Sequence, residues 1–425
     1  MRVLVHPKPG ALHSSPRRRR VLVICGDTQV GLWAVRSLGR AGLSVFCIGI
    51  REHCLSARSR FSSGTWLYET PFSEEGFVDE VLALARELDV GSVMPLAERF
   101  HLALVRHRHR FEPDFHVFCP PNQCFLKATD KDLMHDVALK LGVPVARGTT
   151  LDKFVADPEH YGLAFPLVLR TRKQKDAGGT ATCPWKAAYA RNEEELYRLA
   201  EAAGAMLSNV LVQEYQPGVE NHVQVLMHDG REVMACEYQG EHHMPLAGGV
   251  TVQRVTCRHE DLIRDAVRLL QAIGWEGIAG VQFHYDPATG KYIFLEINPR
   301  FIGGLPTVIM AGFDAPYLLW QSHFEPEKMK QGTYRLGLRT RILGGDANWM
   351  LAQVRRDPLP PGQKHLGKAS AVARFLWNCG PWTRDDTFWW RDPKPFWVDL
   401  RSMARKLRER SVDLIGNPEA REPQR

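Results

Sequence analysis

Four polar side chains crowd one short stretch of this 425-residue chain: Gln282, Glu296, Asn298 and Arg300. Three of them offer oxygen, and the fourth is a guanidinium. Oxygen-only ligands suit a hard cation such as Mg²⁺, which keeps several waters and takes the rest of its shell from substrate phosphates. An arginine beside such a set suits a transferring phosphoryl group, because its planar fork matches phosphate oxygens. The chemistry indicated is that of a metal–nucleotide site.

To act together these groups must share one surface. The stretch GVQFHYDPATGKYIFLEINPR, residues 280–300, reads as a β-hairpin. An apolar strand covers 278–285, a turn runs through Asp286, Pro287 and Gly290, and a second strand covers 291–297. Side chains alternate faces along a strand, so Glu296 and Asn298 project to the same side. A hairpin folded about this turn brings Gln282 opposite or near Glu296.

The series Gln282, then Glu296-Ile297-Asn298-Pro299-Arg300, resembles the ATP-grasp ligases, above all the carbamoyl-phosphate synthetase and biotin carboxylase branch. Three further stretches follow that family's order. ATDKDLMHDVALKLGVPVARG, 128–148, has Asp130 as a helix N-cap, a helix to Leu141 and Gly142 as its stop before Pro144. The resemblance implies that Lys131 reaches nucleotide phosphate; otherwise it is an ordinary solvated lysine. FPLVLRTRKQKDAGGTATC, 165–183, is a strand bearing Arg170 and then a basic glycine loop. There the family implies that Arg170 contacts the α- and β-phosphates and that Gly178 and Gly179 let the loop fold over the triphosphate. VLVQEYQPGVENHVQVLMHDG, 210–230, is strand, Pro217-Gly218 turn, strand. There the resemblance implies that Gln213 and Glu214 lie at the adenine edge, Gln216 at a backbone contact and Glu220 at the ribose position.

The resemblance implies an α/β and α+β architecture. A doubly wound pre-ATP-grasp domain is expected over 21–125, a two-subdomain ATP-grasp fold over 126–330, and a C-terminal extension packing on it over 331–411. Residues 1–20, with Arg17–Arg20, read as a disordered basic arm, and 412–425 as a disordered tail. A signal peptide is rejected, because the apolar stretch from Val21 ends at Cys25. The opening VLVICGDTQVGLWAVRSLGRAGLSVFCIGI, 21–50, is strand, glycine turn, helix, strand, although Gly26-x4-Gly31 is not a full dinucleotide fingerprint. Arg58, Ser59, Arg60 and Glu98 fall where loops of that domain would meet a substrate. His243, Arg254, Gly303 and Gly304 are further candidates for phosphate or substrate contact. Adjacent His242 and His243 point apart on an extended chain, so the pair is a poor metal site.

The bulk properties limit the alternatives. A net charge of +7 permits attraction to anionic ligands without implying nucleic-acid binding. No apolar run approaches the roughly 18 residues of a membrane span. Nine cysteines without a CxxC pair argue against a disulfide scaffold and a zinc site, and favour a reducing, cytoplasmic setting. The implied activity is ATP-dependent activation of a carboxylate as an acyl phosphate, with amide formation to an amine. Its catalytic groups are Lys131, Arg170 and Arg300, with two Mg²⁺ (or Mn²⁺) ions on Gln282, Glu296 and Asn298. Small-molecule carboxylate and amine substrates are the expected partners, with a homodimer as the candidate assembly. The rival readings are phosphorylation of bicarbonate or carbamate, and a nucleotide-binding sensor or scaffold without turnover.

Overall fold

A computed structural model describes residues 1–7, 15–112, 114–171, 183–185, 187–330 and 332–403. Gly178, Gly179 and the 412–425 tail lie outside the described residues. Three sheets organise the rest.

The first sheet is built on consecutive apolar runs. Strands Arg20–Ile24, Ser44–Gly49, Ser62–Leu67, Ser92–Pro95 and His116–Val117 pair in parallel, with Arg20–Ile24 between Ser44–Gly49 and Ser92–Pro95. Strands covered on both faces have no polar alternation, and Val21–Ile24 and Val45–Ile48 are accordingly buried. Helices Gln29–Arg40, Glu74–Glu87 and Glu98–Arg106 cover them, the first capped by Thr28, whose hydroxyl accepts from Gly31 N. The disordered arm expected at 1–20 is not what residues 1–7 and 15–20 form. Arg2–Val5 pairs antiparallel with Ser62–Leu67, because an open edge with unpaired backbone groups accepts any short extended partner.

A small antiparallel sheet follows, in the order Gly148–Thr150, Val210–Glu214, Leu167–Thr171, Ala187–Ala190. Its apolar face packs Leu167, Leu169, Val210 and Val212 against Leu151, Phe154 and Leu196 of the helices Leu151–Ala156 and Glu193–Ala203.

The third sheet has seven strands. The hairpin Gly277–Tyr285 and Tyr292–Asn298 forms one end, followed by Val219–His228, Arg231–Met244, Val250–Cys257, Arg339–Arg341 and Thr383–Asp385. Val223, Val281, Phe283 and Ile297 on one face pack against Leu262, Ala266, Leu269 and Leu270 of helix Glu260–Ala272. The other face packs Leu226, Met234, Cys236, Tyr238 and Ile278 into the first sheet's core and leaves its hairpin end for polar groups.

The C-terminal stretch ties the first sheet's layer to the third sheet. Besides donating two strands, it runs over helix Gln29–Arg40. Arg36 is buried in an ion pair with Asp392 at 3.0 Å, and Trp389 stacks on Phe61 and lies against Trp33. Trp33 Nε1 donates to the Asp386 carbonyl at 2.5 Å. Among the described residues no helix is long and apolar enough to cross a membrane.

Candidate active site

Strand register sets the site. Gln282 lies across from Glu296, and Gly280 across from Asn298. On the neighbouring strand, His222 lies across from Gln282 and Glu220 from His284. Since facing pairs share a side, these polar residues stand on the face opposite helix Glu260–Ala272. The hairpin turn is held by Asp286, which accepts from Ala288 N and from the Thr289 hydroxyl. Glycine at 280 is a steric requirement, because a Cβ there would sit 2.0 Å from Ile302 Cγ2. The chain can therefore turn sharply after Arg300, where Ile302 N donates to Gln224 Oε1 at 2.9 Å.

Cations converge on this face from three elements. Asp130 accepts from Asp132 N and Leu133 N at 3.1 Å and so caps helix Lys131–Lys140 at its first residue. From there Lys131 Nζ reaches Glu296 Oε2 at 2.9 Å. Arg300 Nη2 donates to Asn298 Oδ1 at 3.1 Å, and Nη1 to the Phe301 carbonyl at 3.0 Å. Arg170 stands on Leu167–Thr171 across from Leu211. Burial works against ionising Glu296, but Lys131, Arg170 and Arg300 together outweigh it and hold the carboxyl below its ordinary range. Glu296 is thus an anion in a ring of positive charge.

A second carboxylate lies further along the face. Glu220 Oε2 is 3.5 Å from His222 Nε2 and 3.4 Å from His243 Nε2. Burial again opposes ionisation, and the two nearby imidazoles reverse it, so Glu220 is held well below the usual carboxylate range. Between helix Lys131–Lys140, the small sheet and the hairpin lies a cavity of about 330 Å³. Lys131, Arg170, Thr150, Gln213 and Phe294 line it. Another, of about 670 Å³, is lined by Gln216, Pro217, His284 and the hairpin turn. The segment joining the small sheet to the large one, Gln213 to Glu220, thus borders both cavities.

Comparisons with known proteins fit this geometry. Residues 206–343 match a family described as ATP-grasp in the biosynthetic pathway with Ter operon. The N-terminal section of the carbamoyl phosphate synthase large chain of Methanopyrus kandleri is 26% identical over 204 residues, 44% of this chain and 34% of that one. The arginine-specific chloroplastic large chain of Arabidopsis thaliana is 30% identical over 188 residues, 41% of this chain and 15% of that one. The match therefore spans about a third or less of these relatives' length. In fold, a biotin carboxylase from Campylobacter jejuni, described as a beta-gamma-ATP complex, superposes with a TM-score of 0.58 at 17% identity, over 75% of this chain and 74% of that one. An N5-carboxyaminoimidazole synthetase from Staphylococcus aureus, complexed with ADP, gives 0.54 at 15% identity, over 71% and 77%.

Residues 206–343 of this chain are similar to an ATP-grasp family.

Not every residue singled out from the ATP-grasp pattern is open to a ligand. Arg254 shares the face of Tyr238 and His222, but it is buried, ion-paired to Asp386 at 2.9 Å, and donates to the carbonyls of Thr251 and Gly303 at 3.1 and 3.4 Å. A buried guanidinium needs a carboxylate, and the C-terminal stretch supplies one. The Glu214 carboxylate accepts from Arg147 Nη1 and Ala164 N at 3.3 and 3.1 Å, so its side chain is committed within the small sheet's own layer. The Ser59 hydroxyl and the Arg60 N–H both donate to Asp392. Gly304 serves packing, since a Cβ there would lie 2.2 Å from the Tyr238 ring, while Gly303 is exposed. His242 bonds Asp346 at 2.7 Å and stacks on Trp349, whereas its neighbour His243 joins Glu220. His222 and His284 were not foreseen as part of the face. Their place two residues after Glu220 and Gln282 was the available signal.

Proposed function

We propose that this chain is an ATP- and Mg²⁺-dependent ligase that activates a carboxylate as an acyl phosphate and joins it to an amine. One observation carries the reading: Gln282, Glu296 and Asn298 share a face, with Lys131 at 2.9 Å from Glu296 and Arg300 at 3.1 Å from Asn298. The set fits a hard cation, because three oxygen donors are gathered where an ammonium and a guanidinium already balance the charge. Gln282, Glu296 and Asn298 would hold Mg²⁺ or Mn²⁺, as two ions. Bound metal would neutralise the β- and γ-phosphate oxygens.

The chain's own groups do the rest by position and charge. Lys131 leaves Glu296 for phosphate as nucleotide enters, and Arg170 faces the α- and β-phosphates. Backbone groups between Gln213 and Gln216 read the adenine edge, and Glu220, kept anionic by His222 and His243, accepts from ribose hydroxyls. A substrate carboxylate oxygen attacks the γ-phosphorus, the bond to the β–γ bridging oxygen breaks, and ADP departs. Arg300 stabilises the transferring group. The amine then attacks the acyl carbon, phosphate leaves, and the nitrogen loses its proton to give the amide. No side chain becomes covalently modified.

The relatives named carbamoyl phosphate synthase favour a second reading, phosphorylation of bicarbonate. An ADP-release screen with amino acids, dipeptides, sugar acids and bicarbonate, each with and without pooled amines, decides between them. Stimulation only by a carboxylate–amine pair, with a new amide mass, supports ligation. Stimulation by bicarbonate alone supports the second reading, and none at all overturns both in favour of a nucleotide-binding sensor. The same preparation, run on a calibrated sizing column, tests the homodimer.

A further inference from the structure

On the opposite face of the large sheet, away from Glu296, lies a group of metal-ligating side chains with no part in the chemistry above. Glu237 is fully buried in the middle of strand Arg231–Met244. Cys257 is its cross-strand partner at the end of Val250–Cys257, and His259 caps the start of helix Glu260–Ala272. One potential ligand atom from each lies within 4.8 Å of the others. His259 Nδ1 is 2.8 Å from Glu237 Oε1, and His259 N donates to Glu237 Oε2 at 2.6 Å.

A fourth residue points into the same spot. Asn221 is fully buried, and its amide nitrogen stands 2.6 Å from Glu237 Oε1, 3.5 Å from His259 Nδ1 and 3.7 Å from Cys257 Sγ. Its oxygen, by contrast, is buried with no hydrogen-bond partner. Leaving a buried carbonyl unpaired costs about 1–3 kcal/mol. Which amide atom faces which way is a matter of assignment from the surrounding hydrogen bonds. Turned over, the amide gives up its bond to Glu237 Oε1 and presents oxygen to the carboxylate, the imidazole and the thiol, where a bound cation would offset the repulsion between the two oxygens.

We propose that Glu237, Cys257, His259 and Asn221 form a binding site for a thiophilic divalent cation of the Zn²⁺ type. A mixed sulfur, nitrogen and oxygen set of four suits tetrahedral zinc and is poorly matched to magnesium. Binding removes the thiol proton from Cys257 to solvent and forms a metal–sulfur bond, with no change of oxidation state. With all four positions filled by protein the ion is structural. It fastens three adjacent strands and the first turn of helix Glu260–Ala272, behind the face that carries Gln282 and Glu296. The sequence hides the site because its four ligands are spread from 221 to 259 and only Cys257-Arg258-His259 is local.

Cobalt titration of chelator-treated full-length protein tests this, followed by visible and near-ultraviolet absorption. One equivalent of Co²⁺ is expected to raise a thiolate-to-metal charge-transfer band, which Zn²⁺ then abolishes. The band is expected to vanish in Cys257→Ser and His259→Gln, and to persist in Cys379→Ser, which removes the exposed thiol, and in Glu296→Gln. Absence of the band in the wild type, or its survival in Cys257→Ser, overturns the site. Native mass spectrometry of the untreated wild type gives a reading that needs no variant to fold: one bound zinc per chain supports the proposal, and a metal-free chain that also gains no mass with added Zn²⁺ refutes it.

Discussion

Two arrangements of cations and carboxylates in this molecule differ in how tightly they are closed. At the C-terminal junction both oxygens of Asp392 are used, by Arg36 Nε, the Ser59 hydroxyl and Arg60 N, and the Arg36–Asp392 side chains are 1% and 2% exposed. At the hairpin, Glu296 is met by Lys131, whose side chain is 44% exposed and swings on a flexible stem. The first arrangement occupies both carboxylate oxygens without any visitor. The second holds charge in readiness, and a phosphate-bearing ligand can take over its cations. The same residue types thus become rivets or tools according to how much of their bonding capacity the fold has already consumed.

The sharpest way to break this contrast is at Glu296. Glu296→Gln keeps the shape and should lower ATP turnover by about 1,000-fold, roughly 4 kcal/mol in transition-state stabilisation. Its thermal unfolding should stay within about 0.5 kcal/mol of wild type. ADP release and a melting curve on one preparation check both halves. Near-normal turnover would sink the metal assignment.

Asp392→Ala should do the reverse. Removing one partner of a buried ion pair typically costs 3–5 kcal/mol, since Arg36 is left uncompensated. Urea unfolding reads the loss. Turnover per folded molecule, measured well below the transition, should change less than about threefold.

Acid should probe the interior more than the site. His101 is buried against Phe125, with its Nδ1 3.2 Å from the Ala97 carbonyl, and burial first of all pulls its pKa down to about 4. Below the ordinary value near 6.5 the unfolded chain takes a proton that the folded chain refuses, so stability falls with falling pH until about 4. Between pH 7 and pH 5 the wild type should lose on the order of 2 kcal/mol more than His101→Gln. Equal losses in denaturant titrations at the two pH values would refute this.

Smallest is Lys131→Met. If the ammonium serves nucleotide phosphate, KM for ATP should rise about tenfold, roughly 1.4 kcal/mol, with little change in melting temperature. An unchanged KM would leave Lys131 as no more than the counter-ion of Glu296.

What the sequence reveals follows the range of the interactions. The pairing of Gln282 with Glu296 is legible because a two-residue period and the Asp286-to-Gly290 turn define the hairpin locally. Asp130 as a cap is legible for the same reason, since its donors are two and three residues away. Arg254 and Ser59 are not, because their partners Asp386 and Asp392 lie 132 and 333 positions later. Arg2–Val5 resists reading because so short a strand takes its identity from the edge it joins. The Glu214 carboxylate is a subtler case, claimed by Arg147 and by the Ala164 N–H from 67 and 50 positions earlier, which no local pattern shows.

The junction at Arg36 also has a bearing on synthesis. Its carboxylate lies 356 positions downstream, so the opening layer leaves the ribosome with a guanidinium bound for the interior and nothing yet to neutralise it. That layer cannot settle fully until the chain has emerged as far as Asp392. A product truncated ahead of Asp392 would carry an unmet charge at its heart, and would be marked for proteolysis long before any question of catalysis arose.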